Sequence, residues 1–141
     1  MPAIQFFEED ISYKLKNKTA VRKWITDTIT AEGYKLNELT YIFCSDEYLL
    51  QINQQYLDHD TYTDIITFDN SEEDKIILGD IFISIERIKE NAVKFNVPQT
   101  QELHRVIIHG ALHLLGYTDK TKASKQKMTL KEDFYLNKRD F

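Results

Sequence analysis

Cysteine is almost missing from this chain of 141 residues: Cys44 stands alone. A single thiol excludes any intrachain disulfide and agrees with a reducing compartment. Its setting in Tyr41-Ile-Phe-Cys-Ser makes core packing its expected role. Also missing is any apolar run near the roughly 20 residues that a membrane span requires. The opening Met1 to Asp10 lacks the basic start and apolar middle of a signal peptide, so a cytoplasmic location is expected. Positive charge is in deficit as well. A net charge of −5 argues against a general nucleic-acid coat protein, because such proteins bind by neutralising many phosphates. Repeats, low-complexity segments and an evident linker are absent, so residues 1–141 are expected to form one domain.

What the chain does have is enough apolar matter for a core: 42% hydrophobic residues, with eight Phe, eight Tyr and one Trp. Periodicity divides it into elements. Ile4 to Phe7 reads as a short strand. Thr19 to Ala31 reads as a helix with Val21, Trp24, Ile25 and Ile29 on one face and a stop at Gly33. Leu39 to Cys44 is aromatic and β-branched, hence a strand. Ser45 can cap a helix from Asp46 to Tyr56 whose first turn carries Asp46 and Glu47 at the favourable end of the dipole. After a polar loop at 58–61, strands at Thr63–Phe68 and Ile76–Ser84 flank an acidic turn and read as a hairpin. Helices follow at Ile85–Phe95, Gln101–Leu115 and Ala123–Leu136. The expected class is α+β: a small mixed sheet of about four strands flanked by about five helices.

The segment His109-Gly-Ala-Leu-His113-Leu-Leu-Gly116-Tyr-Thr-Asp119 carries the chemistry. Residues four apart on a helix share a face, so both imidazoles can reach one ion. Gly116 can take the left-handed conformation, end the helix and turn the chain so that Asp119 approaches the same ion. Three protein ligands leave a tetrahedral ion one position for water, which can ionise near neutral pH. The surrounding helix is apolar almost all round, so it is expected to be buried, and two buried imidazoles need partners that a shared ion supplies. The competing reading is a pair of ordinary surface or core histidines. Gly110 occupies the position of the general-base glutamate in H-E-x-x-H zinc peptidases. Glycine takes no proton, so this zincin-like metal helix is not expected to serve peptide hydrolysis by that route.

Other candidates are weaker. Asp64 and Asp80 lie inside expected strands, where aspartate is disfavoured, and either could line the cleft as a catalytic group. Asp80 could orient a ligand histidine or the attacking water, or else make only a turn contact beside Gly79. His104, five residues before His109, falls about 140° around the helix and is read as a hydrogen-bonded core histidine. From Thr118 onward the chain carries seven basic and four acidic residues, a local charge of +3 against −8 elsewhere. Lys120 and Lys122 could guide a phosphate backbone toward the ion, or belong simply to a solvated helix face.

The metal segment resembles the signature of the YbeY family of metal-dependent endoribonucleases. Ile52-Asn53-Gln-Gln-Tyr56 with Thr63-Asp64-Ile65-Ile66-Thr67-Phe68 looks like that family's central segment, and Leu78-Gly79-Asp80-Ile81-Phe82-Ile83 like its Gly-Asp-Ile strand. The resemblance implies a single-domain α+β hydrolase with one divalent ion per chain. Zinc is expected, with nickel, iron(II) or manganese(II) as alternatives. It also implies cleavage of single-stranded RNA in 16S ribosomal RNA maturation and ribosome quality control. The implied partners are ribosomal RNA, the ribosome or a small-subunit precursor, and a ribosomal protein or GTPase. Two positions depart from the family pattern. Asp119 stands where a third histidine is usual; a carboxylate binds zinc at a similar distance but makes a harder, more anionic site whose water is less acidic. Leu57 stands where the family usually has an arginine, and leucine cannot clamp a phosphate. His59 or a tail lysine is a candidate replacement for substrate binding. Loss of the arginine keeps a second reading open, that of a non-catalytic assembly factor in which the ion only staples the fold.

Overall fold

The computed structural model describes residues 3–57 and 63–141. In chain order the elements are β1 (Ile4–Glu9), α1 (Lys18–Ala31), β2 (Lys35–Cys44), α2 (Asp46–Leu57), β3 (Ile65–Asp69), β4 (Ile76–Ser84), α3 (Ile85–Phe95), α4 (Gln99–Leu114) and α5 (Lys122–Leu136). The strands form one mixed sheet in the order β1-β2-β4-β3, with β1, β2 and β4 parallel and β3 antiparallel at the edge. The expected α+β class and the β3–β4 hairpin are both present.

Alternation along the strands sorts side chains between two faces. Leu39, Tyr41 and Phe43 of β2 pair in register with Gly79, Ile81 and Ile83 of β4, and Leu39 and Tyr41 pair on the other side with Ile4 and Phe6 of β1. Ile4, Leu39, Tyr41, Phe43, Ile81 and Ile83 join Val21, Ile25 and Ile29 of α1 and Leu103, Ile107, Ala111 and Leu112 of α4 in one buried cluster, with Phe6 packed against it. The other face is covered by α2. There Cys44, Leu49 and Ile66 are buried, with Tyr48, Ile52, Phe68 and Phe82 packed around them. Cys44 is therefore a core residue, and burial with nearby acidic groups pushes its thiol up to about 12.

β2 starts four residues earlier than its apolar stretch suggests, because Lys35 and Leu36 find partners in Ile76 and Ile77 across the sheet. α4 likewise begins directly after Pro98. It lies in the core between the sheet and the other helices, with Leu103, Ile107, Ile108, Ala111 and Leu112 at most 1% exposed. Each such Leu or Ile contributes about 1.5–3 kcal/mol relative to an exposed position, so hydrophobic packing alone docks this helix. Gly110 permits the close approach: a Cβ there would sit 2.9 Å from Ile65 Cδ1 and 3.0 Å from Ile81 Cδ1. Among the described residues no helix is long and apolar enough to cross a membrane.

Candidate metal centre

His109 and His113 project from successive turns of α4, with ring centroids 4.6 Å apart and planes at 84°. The helix then closes as its sequence predicts. Gly116 has φ +98°; its N–H donates to His113 O at 3.0 Å, and the Tyr117 N–H donates back to Leu112 O at 3.1 Å. This pair of bonds is a Schellman motif, which satisfies carbonyls left open at the helix end and reverses the chain. The reversal carries Asp119 back over the histidines. Its Oδ2 lies 3.4 Å from His109 Nε2 and 3.6 Å from His113 Nε2.

One donor atom from each residue can be chosen so that all lie within 4.8 Å of one another, a group able to hold a metal ion. The spacing suits the ion expected. A tetrahedron with metal–ligand bonds of about 2.0–2.2 Å has edges of about 3.3–3.6 Å, and both imidazole–carboxylate separations fall at that edge length. The donor chemistry, two imidazoles with one carboxylate, fits a catalytic rather than a closed structural set. All three side chains keep some exposure, 20% for His109, 27% for His113 and 39% for Asp119, so solvent reaches the group from one side.

Glu132 completes the arrangement and was not anticipated from sequence. This buried α5 carboxylate lies 2.6 Å from His109 Nδ1. Donation of the Nδ1 proton to Glu132 leaves Nε2 with its lone pair toward Asp119, the tautomer that ligation needs. Glu132 is in turn held by Arg105, which donates to it at 2.8 Å and to Asp133 at 2.6 Å. Burial depresses the His109 pKa, but the hydrogen bond and charge of Glu132, with Asp119 and Asp64, outweigh it and leave a net rise. His113 lacks that support: burial and the neighbouring His109 lower its pKa. A periodicity signal for Glu132 does exist. It shares the buried stripe of α5 with Met128, Tyr135 and Leu136, at helical spacing.

The other candidates divide. Asp64 lies within electrostatic reach of the group: burial raises its pKa, and its carboxyl interacts with His109 and Asp119. Glu102, also missed, is buried two turns before His109 on α4; burial and Asp64 raise its pKa. Asp80 does not join. It pairs with Phe68, on the face that α2 covers, whereas its neighbours Gly79 and Ile81 face α4. Its Oδ2 instead accepts from the Asn70 amide at 3.2 Å. The expectation that Asp80 orients a ligand or the attacking water is corrected on that ground. Lys120 and Lys122 are exposed immediately after Asp119. His59 lies outside the described residues. His104 is a core histidine, buried between Trp24 and Phe141, with Nδ1 2.7 Å from Arg139 Nη1.

Comparison with known proteins agrees with this geometry. The family model described as Endoribonuclease YbeY matches residues 3–140. The chain belongs to the YbeY family. A YbeY relative from Cytophaga hutchinsonii, named Endoribonuclease YbeY, is 54% identical over 138 residues, covering 98% of this chain and 96% of the relative. One of the same name from Flavobacterium psychrophilum is 50% identical over 127 residues, 90% of each chain. A solution structure of a Thermotoga maritima protein superposes with TM-score 0.66 at 28% identity, covering 95% of this chain and 87% of that one. The YbeY fold thus extends along nearly the whole chain, and the centre built on α4 lies within it.

Proposed function

We propose that the protein is a metal-dependent endoribonuclease that cleaves single-stranded RNA, acting on 16S ribosomal RNA precursors and defective ribosomes, with zinc as the resident ion. The observation that carries this reading is the approach of Asp119 Oδ2 to 3.4 Å from His109 Nε2 and 3.6 Å from His113 Nε2, in a group of three residues able to hold a metal ion, in a chain of the YbeY family. Curated relatives bear the name Endoribonuclease YbeY. When bound, the ion would polarise a scissile phosphate and lower the pKa of water.

The remaining work falls to the chain's own side chains. Glu132 holds the His109 ring in its ligating tautomer, and Arg105 holds Glu132. Asp64, whose basicity burial increases, is suited as a carboxylate to accept the proton of an attacking water and return it to the leaving oxygen. Lys120 and Lys122 present positive charge beside Asp119, where a phosphate backbone would pass. Gly110 offers no carboxylate for peptide hydrolysis, and its place is explained by packing against Ile65 and Ile81. A net charge of −5 disfavours tight binding of free RNA, so recognition draws on the assembled particle.

Leu57 at the family's arginine position favours a second reading, a non-catalytic assembly factor stapled by its ion. One experiment separates the two. Metal analysis of the purified protein is paired with a cleavage assay on single-stranded RNA for wild type and His113→Ala. The enzyme reading expects about one ion per chain and cleavage in wild type, with both lost in the variant. Bound ion without cleavage would establish the scaffold instead.

A further inference from the structure

Asp119 sits on a short bridge, and what fixes the ends of that bridge decides where its carboxylate points. The segment from Tyr117 to Thr121 links the end of α4 to the cap of α5, where Thr121 and Ser124 form a reciprocal capping box. On the α4 side the Schellman bonds hold the main chain as far as the Tyr117 N–H. Beyond it, side chains reach into a different part of the fold. The Tyr117 hydroxyl donates to Glu32 Oε1 at 2.6 Å. Glu32, the residue that caps α1, also accepts from the Tyr135 hydroxyl and from Lys131 Nζ at 3.1 Å. Tyr34, just past α1, donates to Leu115 O at 3.0 Å.

We infer that Glu32 is a positioning residue for the metal centre: by gripping Tyr117 it fixes the bridge that presents Asp119 to the two histidines. The clamp is built for rigidity. Three donors converge on one carboxylate whose side chain is 12% exposed, and hydrogen bonds to a charged acceptor are stronger than neutral ones. Burial would favour the neutral acid, but the bonds from Tyr117, Tyr135 and Lys131 overcome it and keep Glu32 ionised. The clamp also shares its supporting helix with the other brace. Lys131 and Tyr135 of α5 hold Glu32, while Glu132 between them holds His109. One helix therefore locks two of the three ligands, His109 through its ring and Asp119 through its bridge.

This inference rests on the metal reading of His109, His113 and Asp119, and the test keeps the two apart. Affinity for Zn²⁺ alone is measured by competition with a colorimetric chelator, and folding stability by urea denaturation of the metal-free proteins. Five proteins are compared with wild type: His113→Ala, Tyr117→Phe, Glu32→Gln, the Tyr117→Phe/Glu32→Gln double variant, and Trp24→Phe. The last removes the Trp24 indole bond to the Tyr135 main-chain oxygen, at 2.7 Å, and so loosens α1 from α5 while removing none of the three side-chain bonds to Glu32. Tyr117→Phe leaves Glu32 with Tyr135 and Lys131, so the α1–α5 brace persists while the bridge is released.

Expected are Zn²⁺ affinities reduced on the order of tenfold in Tyr117→Phe and Glu32→Gln, the size typical when an outer-shell support of a ligand is removed. The double variant should be no weaker than the weaker single, because Tyr117 is held through Glu32 and both changes act on that one link. Trp24→Phe should lose stability but keep wild-type affinity. Wild-type affinity in Tyr117→Phe, or an equal loss in Trp24→Phe, overturns the clamp while leaving the metal centre standing. If wild type fails to bind Zn²⁺, or His113→Ala binds it as well, the metal reading itself falls, and the clamp with it.

Discussion

An alanine at position 110 would place a methyl carbon 2.9 Å from Ile65 Cδ1, 3.0 Å from Ile81 Cδ1 and 3.1 Å from Ile81 Cγ2. Carbon atoms in proteins rest about 3.5–4.0 Å apart, so each contact must open by roughly 0.5–1 Å. The Ile65 tip belongs to a half-buried side chain and can swing. Ile81 cannot yield as easily: it is fully buried, and two of its carbons on different branches meet the new methyl. Overpacking of this kind costs about 1–3 kcal/mol, while replacing glycine by alanine inside a helix returns about 1 kcal/mol. The two effects have opposite sign, and packing should win. Gly110→Ala is expected to be destabilised by up to about 2 kcal/mol, measured by urea denaturation of the metal-free protein so that ion binding does not enter. Because Gly110 adjoins His109, the relief of the clash should also shift α4 relative to Asp64 and lower cleavage. A variant more stable than wild type by about the helix-propensity gain would show that the α4–sheet contact is slack, and would refute the reasoning.

Gly79→Ala should be worse, because its Cβ would meet the Phe68 carbonyl oxygen at 2.5 Å; main chain cannot step aside as a side-chain tip can, so loss of folded protein on expression or a large fall in the denaturation midpoint is expected. Glu132→Gln keeps the size of the side chain but removes its charge from His109 Nδ1, and Zn²⁺ affinity measured by chelator competition should fall about 10–100-fold. His104 gives a pH signature. Burial, with the adjacent Arg139, lowers its pKa to about 4, so the unfolded chain takes up a proton near pH 6.5 that the folded chain refuses. Its contribution to stability is therefore complete above pH 6.5 and declines as the pH falls toward 4, by at most about 3 kcal/mol in all. Urea midpoints at pH 7.5 and 5 should converge less in wild type than in His104→Asn, and identical pH dependence in the two would contradict the assignment.

The group able to hold a metal ion was legible because it depends on local geometry. A four-residue spacing on a helix and a glycine able to take positive φ need no knowledge of the rest of the fold, and both recur in the structure as expected. His104 was legible for the same reason, since its angle around α4 already separates it from the ligand stripe. Asp64 and Asp80 could not be told apart this way. Both stand near strand positions where aspartate is unusual, but only the packing of α4 on the Gly79–Ile81 side tells which face is the site face. Asp80 alternates away from it, and Asp64, just before β3, comes within electrostatic reach of His109. The polar start of β2 escaped for a related reason, since partners across the sheet, rather than apolar composition, make it a strand.

By itself, then, the order of residues determined the elements, the glycine that ends α4, and the three side chains able to meet at one point, because each follows from contacts within about a dozen positions. Tertiary structure alone decided what stands behind those side chains. Glu132 reaches His109 across 23 positions and Glu32 reaches Tyr117 across 85. Neither pairing follows from helical or strand periodicity, which describes only neighbours along the chain. Hydrogen bonds between distant elements form when the core docks α1, α4 and α5 together, and they carry the orientation of the ligands that local spacing merely permits.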